Sequence, residues 1–145
     1  MNANYLILFA LVTASFYGAY NIFIKMASGY INQILGAVIL QVVAAIVGGI
    51  IFFVLKMTTN TPIVISTKGV VFAVLAGIFV GLAEITSFYV FSKGLTASIG
   101  IPIIIGGSIL VGAVAGILFL KETLNPIHYF AILLIVIGVV ILGTK

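Results

Sequence analysis

Between Met26 and Leu55 the chain carries no charged side chain, and none occurs again between Gly94 and Leu120. Each run exceeds the ~20 apolar residues that cross a bilayer as one helix. The whole sequence agrees: 64% of residues are hydrophobic and 6% charged, where an ordinary soluble domain carries roughly a quarter charged. Mean hydropathy is +1.49. These features exclude a soluble domain. They also disfavour a transmembrane barrel, whose strands read as ~10-residue alternating segments rather than long apolar runs. The expected fold is an all-α membrane protein with five transmembrane helices, at about 4–24, 31–55, 69–91, 99–120 and 127–142. The connections between them are too short for a soluble domain, so residues 1–145 read as a single unit whose chemistry lies within the bilayer.

Lysines mark the helix ends. With five crossings, Lys56, Lys68, Lys121, the α-amino group and His128 fall on one side, and Lys25, Lys93 and Lys145 on the other. Three lysines therefore face three, and the positive-inside rule is nearly silent about orientation. Either a weak bias selects one orientation or the chain inserts both ways. The net charge of +4 is scattered over segment ends and forms no patch for nucleic acid. There is no cysteine, and the lone His128 has no neighbouring carboxylates, so no metal or cofactor is expected. No nucleophile–base pair or phosphate loop is present, which argues against an enzyme. The opening "MNANYLILFA" lacks a basic segment and reads as a retained first helix rather than a cleaved signal.

Only two residues of 145 are acidic, and one of them, Glu84, falls inside the third span. A carboxylate at such depth costs roughly 2.5–3.5 kcal/mol on insertion scales. No basic residue lies three or four positions away to offset that cost, and Lys93 points from the opposite face. A lone carboxyl in low dielectric binds a proton readily. Gly77, Gly81, Glu84, Phe88 and Phe91 share one helical stripe, in which glycines admit a neighbouring helix and aromatics can wall an organic substrate. Counting from the helix starts places Tyr17 and Asn21 of the first span at the depth of Glu84, with Tyr20 close by. Gln33, Ala37 and Gln41 repeat every four residues along the second. Glu84, Tyr17, Tyr20, Asn21, Gln41 and Phe88 are thus the candidate substrate- and proton-binding residues. The other reading is structural: a protonated Glu84 bonded to Asn21, Gln41 or a backbone carbonyl would merely fasten helices.

Two small-residue motifs are candidates for helix packing, Gly77 with Gly81 and Ser108 with Gly112 and Gly116. In "IGIPIIIGGS", Pro102 removes a backbone donor and clashes with the preceding turn. Gly100, Pro102, Gly106 and Gly107 are accordingly a candidate hinge. Lys25, Lys93 and the Lys121–Glu122 pair read as interfacial anchors.

Three stretches carry a family resemblance. "YGAYNIFIK" at the end of the first span resembles the aromatic-Gly…Lys opening of EamA-type domains of the drug/metabolite transporter superfamily. "FYVFSKGLTAS" resembles the join between the third and fourth helices of that domain, and "GSILVGAVAGILFLKETLNPIHYFAILLIVIGVVIL" its closing stretch. Most relatives join two five-helix domains in inverted orientation, so this chain resembles the short, single-domain branch. The resemblance implies one half of a ten-helix inverted-repeat transporter, completed by a homodimer that could be antiparallel. It implies a small-molecule substrate, a drug or metabolite, exported across the cell membrane (the cytoplasmic membrane in a prokaryote); coupling to protons is expected from Glu84 rather than from the resemblance. Small multidrug-resistance transporters are similar more distantly, but their essential first-helix glutamate has no counterpart in "TASFYG" here. The alternative is a non-transporting membrane subunit whose small-residue faces bind partner helices.

Overall fold

The computed structural model describes residues 3–59 and 62–144. Lys145 of the lysine count and Asn60 and Thr61 of the second connection lie outside the described residues. Five helices follow in order: α1 (Ala3–Ala27), α2 (Gln33–Thr58), α3 (Thr67–Ser92), α4 (Ala97–Leu118) and α5 (Pro126–Gly143). All five are long and apolar enough to span a membrane, and no strand occurs among the described residues. At 1.5 Å per residue, the 26 residues of α3 extend about 39 Å. That exceeds a hydrocarbon core of ~30 Å, so its ends reach the headgroups or the helix tilts.

The helix ends have local causes. The Asn32 side chain accepts from the amides of Ile34 and Leu35 and so starts α2 at Gln33, two residues later than the apolar pattern suggests. Ser66 accepts from the Gly69 amide and starts α3 two residues earlier. Pro126 occupies the first turn of α5, where its missing N–H costs nothing. Lys25 and Lys56 fall within the last turns of α1 and α2 rather than beyond them, favourable places for cations. Gly94, at φ +101°, turns the chain out of α3 in a left-handed conformation that suits glycine. After α4, Lys121 takes φ 55° and the Glu122 amide donates back to the Gly116 carbonyl.

Several Ser and Thr hydroxyls on the exposed faces are satisfied by their own helices. Thr13 donates to the Phe9 carbonyl, Ser15 to Leu11, Thr86 to Leu82 and Ser108 to Ile105. A hydroxyl bonded this way can face lipid without an orphaned donor.

The chain divides into two compact units, with the boundary inside α1. The first comprises Met1–Ile22 and Leu95–Lys145. In it α4 packs on α5, and the approach is close at Gly106, where an added Cβ would run into the Val139 side chain. Gly116 is covered by the Glu122 carboxylate of the following turn, whereas Gly107 and Gly112 meet nothing within 4 Å. The second unit, Phe23–Gly94, holds α2 against α3 together with the last turn of α1. Its buried side chains gather near the end of α3, described below.

The packing at Gly106 makes a direct prediction. Gly106→Ala should destabilise the α4–α5 pair by about 1–3 kcal/mol, the usual effect of overpacking. Gly112→Ala should leave thermal unfolding in lipid micelles unchanged or slightly improved. Equal melting temperatures for the two variants would contradict the assignment of Gly106 as the seat of Val139.

Candidate functional site

Glu84 lies on α3, and at 1.5 Å per residue it is about 12 Å from the helix end at Ser92. With α3 centred on a ~30 Å hydrocarbon core, its Cα sits roughly 8 Å inside the nearer edge. The residue is 4% exposed, and its Oε2 accepts no hydrogen bond from any described residue. No ion pair reaches it either, since among the described residues no lysine comes within salt-bridge distance of a carboxylate. A buried polar atom without a partner is rare in folded proteins and calls for a reason.

The surroundings of Glu84 in the second unit arise from the α2–α3 contact. Burial on α3 covers Glu84, Ser87, Phe88 and Phe91, spacings that form one face of a helix. Gly81 is half-buried, and the place its Cβ would take lies 3.1 Å from the Gln41 amide nitrogen. One turn beyond Glu84, the Phe88 ring packs against Gly36. A Cβ there would meet two ring carbons at 2.8 Å, so only glycine admits the ring. Ala37, beside it, is buried as well. The expected stripe therefore shortens: Gly77, two turns before Glu84, is exposed and meets nothing within 4 Å.

The last turn of α1 closes the same end. Ile24 and Ser28 are buried. The Lys25 ammonium donates to the Phe91 carbonyl at 3.1 Å and lies 5.8 Å from the centre of the Phe91 ring. Phe91 is 1% exposed. Lys93, by contrast, is exposed and sits 5.5 Å over the Tyr89 ring.

Tyr17, Tyr20 and Asn21 belong to the first unit. Tyr17 and Tyr20 meet edge to face with centroids 6.0 Å apart. Asn21 is buried, and its amide nitrogen donates to the Tyr17 carbonyl at 2.8 Å, within its own helix. Of the proposed hinge residues, Pro102 is exposed inside an unbroken α4, Gly100 and Gly106 are buried, and Gly107 is half-buried. Ser108 is exposed and bonded to its own helix. No group of three metal-ligating side chains occurs among the described residues.

Gly36 and Lys25 escaped assignment to the site from sequence. A glycine one turn into α2 carries no motif, and the partner of Lys25 is a backbone carbonyl, a group every residue has.

Comparisons with known proteins agree with this picture of a small helical membrane protein. Residues 4–144 match the model of the EamA-like transporter family. An uncharacterized protein of the archaeon Methanocaldococcus jannaschii is 29% identical over 137 residues, covering 94% of this chain and 95% of the relative. No solved structure matches.

The Gly36–Phe88 contact can be tested by compensation. Gly36→Ala should lower stability by about 1–3 kcal/mol, and adding Phe88→Leu should recover part of the loss. Strictly additive losses in the double variant, measured by thermal unfolding, would show that the two residues are not coupled.

Proposed function

The chain belongs to the EamA-like transporter family, a family of membrane transporters for small solutes, and on that premise we propose that it is a proton-coupled exporter of small organic metabolites or drugs. Glu84 is the proton-carrying group. One observation supports this above the others: a carboxyl buried in a membrane span with Oε2 unpartnered. In a purely structural role that oxygen would be expected to fasten helices by a hydrogen bond. Asn21, one candidate for such a bond, instead spends its amide on the Tyr17 carbonyl. Intramembrane acids mark ion and substrate pathways by default. Gln41 and Phe88 flank Glu84 through the α2–α3 contact, whereas Tyr17, Tyr20 and Asn21 are assigned to substrate binding by their depth along the sequence alone.

The working unit in this reading is a homodimer. Transporters built on inverted repeats place the substrate between the two halves, near the midplane. A chain of five helices supplies one half, and its archaeal relative is matched over nearly its whole length by the same span. Two copies in opposite orientations would supply both halves around a two-fold axis in the membrane plane. The three-against-three lysine balance permits insertion both ways. An added Cβ at Gly77 would meet nothing within 4 Å, so its face leaves a small surface for a second copy.

Two outcomes test these points. Proteoliposomes offered a panel of amino acids and organic cations should accumulate a substrate when a pH gradient is imposed. Glu84→Gln should fold normally and lose gradient-driven accumulation, and undiminished accumulation would end the coupling role. Separately, moving one lysine pair across the loops should bias insertion and reduce activity, and co-expression of two oppositely biased variants should restore it. If every copy of an actively transporting protein labels from one side only, the antiparallel arrangement is wrong.

A further inference from the structure

The shorter route from Glu84 to water runs toward the end of α3, and the second unit closes that route with a specific contact. Phe91 stands two turns beyond Glu84 on the same buried face, about 10.5 Å along the axis at 1.5 Å per residue. Its carbonyl is one of those left without a partner where α3 ends. Its donors include the Gly94 amide at 3.1 Å and the Lys25 ammonium at 3.1 Å. The ammonium also lies beside the Phe91 ring. Ile24 and Ser28, on either side of Lys25 in sequence, are buried, and Ser28 donates its hydroxyl to the Lys25 carbonyl at 2.8 Å.

We propose that Lys25 is a latch: its ammonium, held on the Phe91 carbonyl, draws the last turn of α1 over α3 and seals Glu84 from the membrane face where these two helices end. The inference rests on the transport reading, in which Glu84 must exchange with water on each side in turn.

An interfacial anchor would extend its ammonium to water or phosphate. Lys25 instead is half-buried and directed at a carbonyl on another helix. Three kinds of attraction converge on it: a charge-assisted hydrogen bond, the negative end of the α3 dipole, and the face of an aromatic ring. None is covalent, and none locks the helices by interdigitation. The contrast with the neighbouring seam is physical. Phe88 on Gly36 is a tight steric fit and resists separation. The Lys25 contact can break by one side-chain rotation, after which water hydrates both the ammonium and the carbonyl. Opening at this end therefore parts α1 from α3 and leaves the α2–α3 seam whole.

The absence of cysteine gives a clean test. Ser87, buried one turn from Glu84, is replaced by Cys in the full chain in proteoliposomes, and its rate of reaction with a membrane-impermeant thiol reagent is measured. Tyr30→Cys, at a position 93% exposed in the α1–α2 turn, normalises for copies presenting this face outward and for correct insertion. Ser87→Cys should react slowly with Lys25 intact. Lys25→Met should raise the normalised rate about tenfold or more, the scale expected for losing a hydrogen bond to a charged group. Lys25→Arg, which keeps a donor and the charge, should stay slow. Lys25→Gln, too short to reach and uncharged, serves the same comparison if the methionine variant is not inserted. Equal rates in all backgrounds, with Tyr30→Cys labelled equally, overturn the latch, as does acceleration by Lys25→Arg equal to that by Lys25→Met. The readout is water access. Equal rates in a protein that still transports therefore remove the latch alone, and a tenfold contrast supports it whatever uptake shows.

Discussion

A carboxyl buried in a membrane helix without a hydrogen-bond partner is costly, and the packing of the second unit is arranged around one. Intramembrane acids cost roughly 2.5–3.5 kcal/mol even on the most lenient scales. The buried face of α3 begins at Glu84 and runs only to Phe91. Three contacts keep it covered: Gln41 on Gly81, Phe88 on Gly36, and Lys25 on the Phe91 carbonyl. Each uses a different means, an amide, a steric fit and a charge. The rest of α3, from Thr67 through Val80, is exposed and apolar apart from its first turn, as a lipid-facing helix should be. The costly group thus sits where the buried side chains of this unit gather, which makes its environment definite.

Much of the fold was legible from charge-free runs alone, because a bilayer leaves a long apolar segment few choices other than a helix. All five helices fall where these runs lie. Their ends moved by one to three residues, in part for local reasons. Asn32 and Ser66 cap, and Lys25 and Lys56 fit inside a last turn instead of terminating it. Glu84 was legible because it stands alone among apolar neighbours. Its surroundings were less so. Helical spacing put Gly77 on the same stripe as Gly81, but whether a stripe meets another helix depends on where the crossing falls, and here α2 crosses beside Gly81 and beyond. Gly106, read as a hinge residue from its place near Pro102, is also the socket for Val139. Lys25 read as an anchor because a lysine at a helix end usually is one. Its actual partner is 66 residues away and is a backbone oxygen, which no side-chain pattern announces.

The first unit follows a simpler logic. Its helices α4 and α5 join through a glycine knob-and-socket, and its turn after α4 folds the Glu122 carboxylate over Gly116. With no hydrophobic driving force between helices in lipid, such close backbone approach supplies van der Waals contact where large side chains could not. The Thr13, Ser15 and Ser108 hydroxyls on the exposed faces return to their own helices, so these donors do not prevent contact with lipid or with a second copy.

The most direct measurement on the central claim is the infrared absorption of the carboxyl group at position 84 in lipid bilayers. With only two acidic side chains in 145 residues, and with ether-linked lipids that carry no ester carbonyl, the carboxylic-acid region of the spectrum is nearly empty. The account predicts an acid carbonyl band at the position of a group without a hydrogen-bond donor. That band should vanish reversibly as the pH is raised and be missing from Glu84→Gln. A band unchanged in Glu84→Gln, or one shifted to the position of a hydrogen-bonded acid at every pH, would contradict an unpartnered, exchangeable proton on Glu84.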